Sequence, residues 1–141
     1  MRGMIVVAAV IAASALVGCQ SAQGLCRDEV DQLCEREFEC RSPTERGTPG
    51  FVQQFGTTLE ECKTKLYADP ILAADQIGVA CDDADTDREV CSNWGRPTAT
   101  VLDFGKANEC RDAREALACQ AFLDQVSNSS LAPAACGDRC R

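Results

Sequence analysis

Cysteine dominates the chemistry open to this chain. Eleven of its 141 residues are cysteines and none is histidine. Ten of them, Cys26, Cys34, Cys40, Cys62, Cys81, Cys91, Cys110, Cys119, Cys136 and Cys140, leave gaps of 7, 5, 21, 18, 9, 18, 8, 16 and 3 residues. No C-x-x-C occurs among them, and thioredoxin-like redox centres and zinc ribbons usually need one. At this density in an exported chain the ten read as disulfide-forming residues, up to five bridges, with a connectivity that spacing leaves open.

The eleventh, Cys19, closes Leu16-Val17-Gly18-Cys19, at the end of an apolar run that starts at Met4 and follows one positive charge, Arg2. That arrangement is a bacterial lipoprotein signal, so residues 1–18 are expected to be removed and Cys19 to be the lipid attachment. Two other readings compete. From Met4 to Gly18 the run is 15 residues, short of the roughly 20 that span hydrocarbon. An ordinary signal cut after Ala22 would put the bulky Gln20 at the −3 position. Parity favours acylation, because setting Cys19 aside turns an odd eleven into an even ten. Gln20 follows it where an aspartate would retain a Gram-negative lipoprotein at the inner membrane, which points to the outer membrane and a cell-envelope location.

The missing histidine removes Ser-His-Asp and Cys-His nucleophile systems, His-ligated zinc and His-ligated haem. Enzymatic alternatives shrink to a free thiol, which an even cysteine count disfavours, or a carboxylate pair among 22 acidic residues. The expectation is no catalysis and no cofactor. One local pattern points to metal: Asp83, Asp85 and Asp87 match the first three ligand positions of a calcium loop. The match fails at Arg88, where Gly is needed for the turn, and at Trp94, where a bidentate Glu belongs. A calcium-responsive surface module is therefore an alternative, and a solvated acidic loop that caps the next helix is preferred.

Formal net charge is −8, and loss of residues 1–18 with Arg2 leaves 13 Lys and Arg against 22 Asp and Glu, about −9. That balance opposes nucleic-acid binding and adhesion to anionic lipid, so acyl chains are what would hold the protein to its membrane. A protein or small-molecule partner is left unidentified.

The elements that must position these residues read as short helices. Residues 19–25 form a polar, lipidated tether. Cys26, Val30, Leu33, Cys34 and Phe38 mark one apolar helix face, with Asp28, Glu29, Glu35 and Glu37 placed elsewhere. Arg41 to Gly56, with two prolines and three glycines, reads as a loop from which Phe51, Val52 and Phe55 fold back. Thr57 and Thr58 offer a capping box to the next helix, Asp69-Pro70 starts another that runs to Ile77, and Thr86 with Glu89 starts a third, stopped by Gly95. Trp94, the single tryptophan, reads as a core or half-buried anchor, with a surface hot spot beside Arg96 as the other reading. Asp103 caps a long helix over about Phe104 to Cys119, prolonged through Phe122, Leu123 and Val126, and Cys136 and Cys140 pin the carboxyl end.

The run Cys34-Glu-Arg-Glu-Phe-Glu-Cys40, the Gly-rich loop, Thr58-Leu-Glu-Glu-Cys62, Ala107-Asn-Glu-Cys110 to Cys119, and Ala135-Cys136 with Cys140 resembles cysteine-rich predicted lipoproteins of Gram-negative bacteria. The resemblance covers most of residues 26–140, and the chain departs by two further cysteines, Cys26 and one of Cys81 and Cys91. It implies small disulfide-bonded helical envelope proteins and no catalytic residue. The expected architecture is all-α: a small disulfide-rich helical bundle of about four to five short helices over residues 26–141, after a signal peptide and tether. The expected role is that of a membrane-anchored envelope lipoprotein with a non-catalytic binding or structural task.

Overall fold

A computed structural model describes residues 21–69, 80–96 and 98–141. Cys19 with its signal segment, and the expected helix over residues 70–77, lie outside the described residues. The described chain is all-α with seven α-helices: α1 (Ala22–Cys40), α2 (Pro43–Arg46), α3 (Pro49–Phe55), α4 (Leu59–Ala68), α5 (Asp87–Asn93), α6 (Phe104–Glu115) and α7 (Cys119–Ser127). Short 3-10 turns cover Cys81–Asp83, Ser129–Leu131 and Ala134–Cys136.

Three features differ from the sequence reading, and the second and third raise the helix number. First, α1 begins at Ala22, where the Ser21 side chain accepts from the Gly24 amide. Ala22 and Leu25 are buried, so residues assigned to the tether belong to the core. Second, Arg41–Gly56 is not irregular. Ser42 and Thr48 each precede a proline, and each hydroxyl caps a short helix whose first turn that proline suits. Phe51 and Phe55 are buried as expected. Third, the long helix from Asp103 breaks at Ala116, and α7 starts anew at Cys119.

α1 is the central element, with α4, α5, α6, α7 and the Cys81–Asp83 turn packed around it. All ten described cysteines are paired: Cys26–Cys81, Cys34–Cys62, Cys40–Cys119, Cys91–Cys140 and Cys110–Cys136. Three bridges start on α1 and lead to three different partners. The other two hold the carboxyl-terminal segment to α5 and α6, so Cys136 and Cys140 pin the end as expected. That segment also pairs antiparallel with residues 100–103: the Thr100 and Val101 amides donate to the Arg141 carbonyl at 2.9 and 3.0 Å, and the Asp103 amide to Arg139 at 2.9 Å.

Around α3 and α4 the core is aromatic. Phe38 meets Phe51 edge-on at 5.3 Å between ring centroids, and Phe51 meets Phe55 at 4.9 Å. Gly56 ends α3 at φ 79°, and a Cβ there would lie 2.6 Å from Glu61 Cβ, so only glycine fits. Lys65 Nζ donates to the Val52 and Gln53 carbonyls at 3.1 and 3.2 Å, satisfying the open end of α3 from α4.

Candidate functional site

Two charges that an amphipathic reading sends to solvent are buried. Glu37 is fully buried and pairs with Arg41 one turn on. Glu29, 1% exposed, sits on α1 one turn after Cys26 and before Leu33, inside the apolar stripe. Arg114 of α6 donates to one oxygen of Glu29, and Arg139 of the terminal segment lies 3.4 Å from the other.

Covalent geometry fixes both arginines. Arg114 follows Cys110 by one helical turn, and Cys110 is bridged to Cys136. Arg139 precedes Cys140, whose bridge to Cys91 brings it to α5, and Trp94 caps the end of that helix three residues on. The Arg139 guanidinium stacks on the Trp94 ring at 4.2 Å and reaches the Cys110 sulfur at 3.3 Å. Burial, only partly offset by Glu29 and reinforced by Arg114 and Arg96 nearby, pushes Arg139 down to about 10.

These groups line a cleft of about 730 Å³, within the range typical of ligand sites. Leu33, Phe55, Phe122, Val126 and Pro133 supply apolar wall; Gln32, Gln54, Gln125 and Ser129 supply polar groups. Gln125 is buried with its Oε1 unpartnered, and Arg114 Nε is likewise without an acceptor. Trp94 is half-buried against the core while it lines this cleft, which meets the anchor reading and gives it a surface to serve.

The residues suspected of binding metal are not assembled. Asp83 and Asp85 are exposed, and Asp87 accepts from the Leu102 amide at 3.1 Å. Among the described residues no three Asp, Glu, Cys or His side chains gather closely enough to hold an ion. The capping role of this segment does appear: Thr86 and Glu89 form the box that starts α5. No helix of the described residues is long and apolar enough to cross a membrane.

The sequence reading missed the cleft because its charged residues, Glu29, Arg96, Arg114 and Arg139, come from four separate segments that the disulfide pairing brings together. A signal existed for Glu29, whose place at i+3 from Cys26 and i−4 from Leu33 puts a carboxylate on the buried stripe.

No protein-family model matches the chain, and neither a curated protein nor a solved structure matches it significantly.

Proposed function

We propose that the chain is a lipid-anchored protein of the bacterial envelope, acylated at Cys19 and directed to the outer membrane, whose disulfide-stapled body has a non-catalytic binding role. The lipobox Leu16–Cys19, Gln20 after it and the resemblance to cysteine-rich predicted lipoproteins support the anchor. The observation that carries the binding role is the cleft of about 730 Å³ between α1, α6, α7 and the terminal segment, with its unmet Gln125 acceptor.

Binding is favoured over catalysis by the groups available. The sequence has no histidine, the ten described cysteines are spent in bridges, and Glu29 is clamped between two guanidiniums.

Intact mass of the envelope-extracted protein tests the anchor: an N-terminal Cys19 with acyl chains is expected, and an unacylated terminus further on overturns it. Trp94 emission tests the role. A small-molecule fraction of the same envelope should shift it saturably, and Ala132→Phe, on the cleft wall, should abolish the response. Failure of every fraction assigns the body a structural role instead.

A further inference from the structure

The cleft is electrostatically unlike the rest of the molecule. In a chain of net charge −8, the charged side chains lining it among the described residues are Arg96, Arg114, Arg139 and Glu29. Glu29 pairs with Arg114 and Arg139, and Arg96 lines the same cleft, so among the described residues three guanidiniums share one carboxylate on its wall. Arg96 is exposed at the rim, and Arg114 keeps a buried Nε donor with no acceptor. The low position of Arg139 has the same origin, burial beside two like charges with a single carboxylate in compensation. On the opposite sense of polarity, Gln125 presents a buried acceptor with nothing to accept from. Leu33, Trp94 and Pro133 supply part-exposed apolar lining to the same cleft.

We propose that the cleft binds a small organic anion: an acid group at Arg96 and Arg114, an apolar body against Leu33, Trp94 and Pro133, and a hydroxyl or N–H that donates to Gln125. This rests on the reading of the cleft as a binding site and adds the chemical class of its ligand. Two of its parts answer groups without a partner among the described residues, Arg114 Nε and Gln125 Oε1, and a buried polar group without a partner is costly enough to mark where a ligand atom belongs. Anionic recognition by arginine forks is strong because the hydrogen bonds are charge-assisted.

The test uses the full-length acylated protein in mild detergent and follows emission of Trp94, the only tryptophan. Four probes separate the parts of the proposal: 3-phenyllactate, its uncharged amide, 3-phenylpropionate without the hydroxyl, and inorganic phosphate without the apolar body. Phenyllactate is expected to bind tightest. Loss of the charge should weaken binding about tenfold, the effect of one charge-assisted hydrogen bond, and loss of the hydroxyl about threefold. Arg96→Gln, at an exposed position that leaves the fold intact, should weaken phenyllactate and leave the amide unchanged. Arg114→Lys keeps a cation beside Glu29 but loses the fork and should do the same. Equal binding of acid and amide, or phosphate as tight as phenyllactate, overturns the anion class while the cleft remains a binding site. No response to any probe at millimolar concentration overturns the anion class, and no response to the envelope fractions as well overturns the binding site itself.

Discussion

Toward α3 and α4, α1 is closed mainly by apolar packing: the Cys34–Cys62 bridge, Val30, and the Phe38–Phe51–Phe55 cluster, with Lys63 paired to Asp31 and Glu35 outside and one buried pair, Glu37 with Arg41, beside Phe51. Toward α6 and the carboxyl end, the same helix is closed by charge. Glu29 meets Arg114 and Arg139 in the interior, Asp28 meets Arg111 at 2.9 Å, and Gln32 donates to the Arg111 carbonyl at 2.7 Å. Apolar burial stabilises at about 25 cal/mol per Å², whereas a buried ion pair roughly breaks even against an apolar replacement. Apolar burial therefore accounts for most of the first side, whereas the proposed anion site would give the charges of the second a role beyond stability.

The bridges provide the largest test, since one on each side closes nearly the same length of chain: Cys34–Cys62 with a separation of 28 residues and Cys110–Cys136 with 26. The chain-entropy account gives each about 3.5 kcal/mol. Full reduction should lower the melting temperature sharply, and an unchanged melting curve on complete reduction would refute the framework. Cys34→Ala with Cys62→Ala removes two fully buried sulfurs and should cost more, by urea unfolding, than Cys110→Ala with Cys136→Ala, where Cys136 is partly exposed. The second pair should be the one that weakens ligand binding, because it releases Arg114 and the cleft wall. Equal stability losses would mean that the two sides are packed alike.

Single side chains come next. Phe51→Ala should cost about 3–5 kcal/mol through the cavity it leaves among Phe38 and Phe55. Glu29→Gln should cost a similar amount, about 3–5 kcal/mol, for the opposite reason, because it strands two guanidiniums without a counter-charge. The triple replacement of Glu29, Arg114 and Arg139 by leucine separates the causes: it should recover most of that stability and lose anion binding. A triple variant as unstable as Glu29→Gln would show that the charged side is structural.

A smaller contrast lies in two glycines of nearly equal backbone angle. Gly56 at φ 79° faces Glu61, whereas Gly95 at φ 78° faces open space. Gly95→Ala should cost about 1–2 kcal/mol for the left-handed conformation alone. Gly56→Ala adds the clash with Glu61 Cβ at 2.6 Å and should cost about 1–3 kcal/mol more. Equal losses in thermal melts would mean that the α3–α4 corner gives way freely.

The apolar side was the more legible in sequence. Thr58 caps α4 where the sequence puts a cap, and Cys34, Cys62 and Phe55 are core; on the other side the sequence places the caps Thr86 and Asp103 but not the buried charges. The missed helices α2 and α3 had their signals in Ser42-Pro43 and Thr48-Pro49, which a count of prolines and glycines conceals. The charged side was not legible for a physical reason. Glu29 and Arg139 are 110 residues apart, and what joins them is bridge pairing, which spacing does not determine. Periodicity locates a face; it does not say that a carboxylate on that face will find two cations.

The smallest effect is a titration that checks the α4 side through its one phenol. Tyr67, the only tyrosine, donates its hydroxyl to Asp31 of α1, with Lys63 and Arg27 nearby. Burial, and then the bond to Asp31, push the phenol up to about 12, with the two cations acting the other way. Because the folded value is raised above the ordinary 10, the stabilisation linked to it is complete below pH 10 and is lost as pH rises through about 12. Phenolate absorbance should therefore have its midpoint near pH 12, and Asp31→Asn, which keeps an acceptor but removes the charge, should bring it down toward the ordinary value. A midpoint near 10 in the unmodified protein would mean that α4 does not hold Tyr67 against α1. The difference between the two faces of α1 would then rest on the aromatic cluster and the Cys34–Cys62 bridge alone.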